Sequence, residues 1–496
     1  MGLAARVESS VEQFVKPLRK MLIDGKWVEA ASGMTFETLD PATGKTLAHV
    51  AEGDAEDVDR AARAARRAFD SGPWPRMAPA ARQKILLKLA DLIEEHGLEL
   101  AQLETLDNGK SLGESQAVDI PAAAETFRYY AGWVNKIAGE TNPTDPSFFN
   151  FTLREPVGVC GQIIPWNFPL LMASWKLAPA LACGNTCVLK PAEQTPLTAL
   201  RLGELLQEAG VPDGVVNIIP GFGPTAGGAI VRHPLIDKVA FTGSTEVGRE
   251  IHRDTAATLK RVSLELGGKS PNIVFADADV AEAVKGALMG VFFNQGEVCC
   301  AGTRLFVEEK LHDEFADTVA KAAGAMKQGP GLDVGTQVGP LVSQEQLDRV
   351  TGYLEIGKQE GATVLTGGER NTAPGLERGY FVKPTVLTGV RNDMRIAQEE
   401  IFGPVVAVIP FKDENDAVLQ GNDTSYGLAA GVWTRDVSKA HRVARSIRAG
   451  TVWVNCYNVF DVMAPFGGYK QSGYGRELGR HALELYTQVK SVWMRI

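Results

Sequence analysis

Apolar residues recur at helical spacing through DAEDVDRAARAARRAFD (54–70) and PAARQKILLKLADLIEEHG (79–97), which predicts two helices packed through one face. Ahead of them, MLIDGKWVEA (21–30) reads as two short strands. From Val157 to about Thr258 the pattern changes. Short apolar runs (VGVCGQII, NTCVLK, VVNIIPG, KVAFTG) alternate with helix-like ones such as LTALRLGELLQEAG. A second alternation, from Gly267 to about Gly468, includes NIVFAD, VAEAVKGALMGVFF, RLFVEE, LHDEFADTVAKAAGAM, VVAVIPF, SKAHRVARSI and GTVWVN. Strands that alternate with helices predict parallel βαβ units. The expected fold class is therefore α/β, with two open parallel-sheet domains. The boundary is set near Gly267 and Gly268, giving 1–132 with 157–267 as the first domain and 268–469 as the second.

Two segments fit neither domain. SFFNFTLRE (147–155) and YTQVKSVWMRI (486–496) alternate apolar and polar residues at strand period, and could pair with each other. A terminal strand carrying Val489, Val492 and Trp493 is an aggregation-prone edge unless another subunit covers it. A small β arm (133–156 and 482–496) that builds a homo-oligomer, dimer or tetramer, is expected.

Composition narrows the class of function. At 496 residues and 45% hydrophobic, the chain can bury more than one core, in keeping with two domains. A formal net charge of −9 provides no general basic field for nucleic acid or acidic lipid, so small-molecule chemistry is favoured over either partner. The six cysteines are scattered without CxxC pairs. They suit a reducing compartment and imply no metal site. MGLAAR lacks the Ser or Thr of an acylation motif, no apolar signal core follows, and prolines and glycines interrupt the uncharged run Pro156–Trp175. A cytosolic protein without a membrane span is expected, with a matrix or plastid form as the alternative.

Three strand-to-helix junctions carry small or polar residues where open α/β sheets bind ligands: KPAEQTP, PGFGPTAGG and FTGSTEVG. GFGPTAG is one residue too long for the dinucleotide glycine fingerprint, and alone it is an ordinary turn. In FTGSTEVG, Gly243 frees the backbone while Ser244 can cap the helix and leave its amide dipoles to an anion. Lys190 ends a buried strand and Glu193 lies in the turn after it, so the two could grip one ribose. A carboxylate there accepts from ribose hydroxyls and repels a 2′-phosphate, which favours NAD over NADP.

FFNQGEVCCAGTR places Cys299 and Cys300 in a loop between an apolar helix and a strand. Free cysteine is more often a packing residue than a nucleophile, and spacing does not choose between the two thiols. The company changes the reading. GQIIPWNFP, KPAEQTP, FTGSTEVG, LELGGKSP, FFNQGEVCCAG, EEIFGPV and PFGGYKQSG, in this order and across nearly the whole chain, resemble the aldehyde dehydrogenase superfamily, NAD-dependent and non-acylating.

The resemblance implies a Rossmann-like NAD-binding domain, a catalytic domain and the oxidation of a small-molecule aldehyde to a carboxylic acid. It places the nucleophile on Cys299, with Cys300 a bystander, the general base on Glu265 and the oxyanion amide on Asn167. It also places Lys190, Glu193, Gly243 and Ser244 on the dinucleotide, Glu400 on the nicotinamide ribose (Glu399 if the register slips) and Phe402 beside the ring. The implied substrate tunnel draws on Phe168, Leu171, Trp175, Phe460 and Phe466. Glu297 and Asp461 are expected to add carboxylates near its mouth. Lys176 and Glu477 match positions proposed to relay protons in some relatives, and surface ion pairing is the plain alternative.

The chemistry explains the residue types. An aldehyde hydrogen leaves poorly as hydride while its carbon is trigonal; a thiolate makes that carbon tetrahedral, and a thioester then remains for water to hydrolyse. Burial between Leu264 and Leu266 is expected to raise the pKa of Glu265 and suit it to activate that water. Two rivals are a CoA-acylating relative, which a base such as Glu265 argues against, and a cysteine hydrolase, whose histidine partner none of the shared motifs contains.

Overall fold

The structure, a computed structural model, describes residues 6–496; most of the MGLAAR reading lies outside them. Local rules set the helices. Asp54 caps Ala55–Asp70 through a capping box closed by Asp57, Asp279 caps Val280–Phe292, and Pro169 opens Pro169–Ala182 with its ring at the first turn.

The first sheet has eight strands. Its five parallel strands stand in the order Arg261–Glu265, Lys238–Thr242, Val159–Ile163, Thr186–Lys190, Val216–Ile218. Chain order therefore reverses between Val159–Ile163 and Lys238–Thr242, the crevice where doubly wound folds bind ligands. The hairpin Met21–Ile23/Lys26–Val28 extends one edge antiparallel, as its sequence predicts. The other edge is closed by Gly473–Tyr474, returning from far along the chain to pair with Leu264 and Glu265.

The second sheet has seven strands in the order Thr363–Thr366, Thr385–Thr388, Val405–Phe411, Arg304–Glu308, Pro271–Val274, Ala429–Trp433, Thr451–Val454, all parallel except the first pair. Glu265 ends a strand of the first sheet, and Pro271 begins one of the second. The carboxyl ends of one sheet thus meet the amino ends of the other, and the short Gly267–Gly268 step joins them.

Phe148–Pro156 and Thr487–Arg495 pair antiparallel over nine residues, from Thr487 opposite Pro156 to Arg495 opposite Phe148. This is the arm that the alternating pattern predicts. The hairpin Thr35–Asp40/Lys45–Ala51 is additional. Among the described residues no helix is long and apolar enough to cross a membrane.

Candidate active site

A cavity of about 920 Å³ opens where the two sheets meet. Its walls include Asn167, Glu265, Cys299, Ser244, Glu400 and Phe402, so residues far apart in sequence come together. The Cys299 loop is built by a backbone that leaves the helix abruptly. After Phe292, Asn294 (φ 47°), Gln295 (φ 44°) and Gly296 (φ 79°) are all left-handed, which swings the chain back toward the first sheet. Asparagine and glycine tolerate this region, and Gly296 has no alternative, since a Cβ there would collide with the backbone of Gly403. Cys299 follows, half-buried at the cavity wall, while Cys300 is buried with its thiol donating to Asn458 Oδ1 at 3.6 Å. Gly268 lies beneath, where any side chain would strike the Cys299 carbonyl. The neighbouring Cys300 thiol first, and burial second, hold the Cys299 thiol well above its ordinary pKa.

Asn167 is buried just before the helix Pro169–Ala182. Its Nδ2 donates to the Glu297 carbonyl at 2.9 Å, which leaves one N–H. Glu265 is buried at the end of its strand, and neither carboxyl oxygen has a hydrogen-bond partner within the chain. Burial, then the nearby Glu477 charge, push this carboxyl well above the usual range. Gly467 gives it room, for a Cβ there would stand 2.7 Å from Glu265 Oε1. Beside it, Lys176 pairs with Glu477 and donates to Thr242 Oγ1 at 2.6 Å, Thr242 being level with Glu265 on the adjacent strand. The surface reading of Lys176 and Glu477 is corrected: both are buried, Lys176 on the helix Pro169–Ala182, which is enclosed along its whole length, and Glu477 on backbone bridged to Phe466.

Among the residues expected to bind the cofactor, Glu400 lines the cavity and accepts the Gly268 N–H at 2.8 Å, with burial raising its pKa to about 7. Glu399 turns away to Arg395 and Tyr353, so the register favours Glu400. Phe402 sits edge-on to Trp166 with ring centres 5.2 Å apart. Ser244 accepts the Val247 N–H at 3.2 Å and caps the helix Thr245–Thr255, its hydroxyl proton left over. Lys190 and Glu193 bond to each other at 3.1 Å at the end of the strand Thr186–Lys190, outside the cavity walls, with the Gly223–Gly227 turn packed on the lysine stem.

All five tunnel aromatics and aliphatics line the cavity. Leu171 and Trp175 share a helix face, and Trp175, Phe460 and Phe466 form a cluster with centres 5.5 to 6.3 Å apart. Asp461 is exposed at the mouth as expected. Glu297 is not at the mouth. Its carboxyl points inward, accepting from Val342 N and Gln295 Nε2 at 3.0 Å each, and burial raises its pKa to about 8.

Residues missed from sequence stand behind the loop. Asn294 Nδ2 donates to the carbonyls of Asn167 (2.9 Å) and Glu297 (3.3 Å), and Asn108 Nδ2 to that of Trp166 (3.0 Å). Lys110, buried with Asp119, lies 4.1 Å from the Phe168 ring centre. Their only trace in the sequence is a pair of Asn-containing turns, FNQG and DNGK.

Two open α/β sheets that meet at a cavity walled by a cysteine-bearing loop define an α/β enzyme. The chain belongs to the aldehyde dehydrogenase family, whose sequence profile matches residues 27–492. It is 53% identical over 479 residues to the human mitochondrial aldehyde dehydrogenase, covering 96% of this chain and 92% of that protein. It is 52% identical over 490 residues to the mitochondrial benzaldehyde dehydrogenase of Antirrhinum majus, covering 98% and 91%. The NAD+ complex of aldehyde dehydrogenase from Bacillus cereus superposes with a TM-score of 0.98 at 55% identity, covering both chains entirely.

Proposed function

We propose that this chain oxidises an aldehyde to a carboxylic acid, with Cys299 as nucleophile and NAD as hydride acceptor. One observation carries the reading: Cys299, Asn167 and Glu265 open onto a single cavity, in which the Glu265 carboxyl is buried with both oxygens unpartnered. A buried acceptor without a donor is costly unless a water or a reacting group completes it.

The Cys299 thiol releases its proton to solvent, and the thiolate sulfur attacks the carbonyl carbon. The carbonyl oxygen becomes an oxyanion held by the free N–H of Asn167 and a backbone N–H of the cysteine loop. Bound NAD supplies the acceptor for the hydrogen and its electron pair. What remains on Cys299 is a thioester. Glu265 then takes a proton from water, the hydroxyl oxygen attacks the thioester carbon, the carbon–sulfur bond breaks, and the acid leaves. Several residues fit the cofactor. Glu193 can accept from ribose hydroxyls at a strand end, Lys190 adds a donor beside it, and Ser244 with Gly243 opens a helix N-terminus. Glu400 keeps one oxygen free for the second ribose, and Phe402 gives the nicotinamide a wall.

We read residues 1–132 with 157–267 as the NAD-binding domain, 268–469 as the catalytic domain and the paired strands as an oligomerisation arm. The six free cysteines fit a reducing compartment such as the cytosol.

Glu265→Gln tests the assignment in a stopped-flow assay with NAD and an aldehyde. A burst of NADH followed by slow turnover is expected, and full steady-state activity would remove Glu265 as base. Cys299→Ala should lose oxidation while still binding NAD. Carboxylate formation without CoA separates this reading from an acylating enzyme.

A further inference from the structure

Glu297 takes no part in the chemistry above, yet it is fully enclosed two residues before the nucleophile. Both ends of the residue are in use. Its backbone carbonyl receives Nδ2 of Asn167 at 2.9 Å and Nδ2 of Asn294 at 3.3 Å. Its side-chain Oε1 receives the Val342 N–H, and Oε2 receives Gln295 Nε2, each at 3.0 Å.

The surroundings are built to bring these partners close. Asn294 and Gln295 hold left-handed backbones, a strained state for Gln, and Asn294 is pinned again by Glu114 Oε1 accepting its N–H at 3.2 Å. The segment leading to Val342 is seated on the turn at Gly109, where two glycines let backbones touch. A Cβ at Gly339 would collide with the Gly109 carbonyl, and one at Gly109 would stand 2.8 Å from the Pro340 carbonyl. The next residue, Ser343, caps the helix Gln344–Gln359, so Val342 belongs to a rigid support.

We infer that Glu297 is a positioning residue: its carboxyl moors the nucleophile loop to the backbone at Val342, and its carbonyl aims the Asn167 amide at the oxyanion. One residue thus fixes sulfur and oxyanion donor relative to each other. The inference rests on the proposed roles of Cys299 and Asn167.

The full-length enzyme is compared as wild type, Glu297→Ala and Glu297→Gln, with Cys299→Ala giving the background. Three quantities are read: kcat/KM for an aldehyde, the rate of Cys299 alkylation by iodoacetamide, and the Kd of NAD. Glu297→Ala should lose about 10- to 100-fold in kcat/KM, as misplacement of a reacting group by about an ångström does. Its alkylation rate should change, while its NAD Kd stays within about twofold of wild type. Glu297→Gln should recover to within about threefold of wild type. Its amide oxygen can keep Val342, and Gln295 can turn its amide so that Oε1, unpartnered within the chain, accepts the new N–H. A folded Glu297→Ala enzyme with wild-type kcat/KM and alkylation, or a Gln variant as impaired as Ala, would overturn the inference. Should Glu297→Ala not fold, Gln295→Leu, which removes one mooring bond, should slow both rates by at least about threefold, and unchanged rates there would also overturn it. Retained oxidation in Cys299→Ala would instead overturn the nucleophile, an outcome the Glu297 variants do not mimic.

Discussion

In the proposed mechanism, Glu265 and Asn167 divide the chemistry between a group that must titrate and one that must not. A base with a raised pKa is protonated, and idle, below that pKa. Steady-state kcat should therefore rise with pH, by about tenfold per unit on the limb below the folded-state pKa of Glu265, then level off. Glu265→Gln should flatten that limb while the NADH burst keeps its own dependence on Cys299 ionisation. A pH profile of kcat set against burst rate checks this, and an unchanged limb in the variant would reassign the base. Asn167→Ala removes a neutral donor, so its effect should be the same at every pH. A loss of about 10²- to 10³-fold in kcat/KM is expected, with NAD affinity retained. At this scale the sequence brings the candidate residues together well, because the motifs that carry Cys299, Glu265 and Asn167 all open onto one cavity. It misplaces Glu297, since neighbouring residues on an irregular loop point wherever its dihedrals send them. Proximity in number to Cys299 says nothing about direction.

Strands and helices were legible from periodicity: the parallel runs at 159–163, 186–190 and 238–242 and the helix at 280–292 lie where their apolar spacing puts them. The turn that ends that helix was not. Three consecutive left-handed residues obey tertiary packing, not local propensity, and only the Asn and Gly of FNQG hint at them. Burial of Lys176 was legible in principle, because PLLMASWKLAPALA is apolar nearly all round and such a helix is covered on every face. Glycines separate these two kinds of information. Gly296→Ala forces a side chain into a left-handed backbone against Gly403, and should cost at least about 1–3 kcal/mol with loss of activity. Gly352→Ala, on the exposed side of the helix Gln344–Gln359 with nothing within 4 Å of the added methyl, should stabilise by about 0.5–1 kcal/mol. Chemical denaturation of both variants checks the pair, and a neutral Gly296→Ala would show that the loop is not held by that contact.

For the whole molecule, the decisive feature is the edge left open by Thr487–Arg495. That strand pairs on one side with Phe148–Pro156, and the arm's sheet ends there. Val489 and Trp493 are 59% and 60% exposed, and Phe148, Phe149, Leu153, Met494 and Ile496 are exposed with them. A nine-residue strand with exposed apolar residues along it and a row of unpaired N–H and C=O groups invites another chain, and natural proteins cover such edges. A symmetric partner can cover it without leaving a new edge to propagate. Lysine and glutamate at Val489 and Trp493 would put charges where that partner's apolar side chains lie, while both sites remain solvent-facing in the single subunit. The double variant Val489→Lys/Trp493→Glu should therefore keep its circular dichroism yet sediment as a smaller species than wild type at micromolar concentration. The cavity lies between the two sheets and borrows no arm residue, so activity per subunit should survive the split if the subunit alone holds the sheets in place. Wild-type protein sedimenting as a monomer would sink the arm as an interface. A smaller but inactive variant would instead mean that assembly braces the meeting of the sheets.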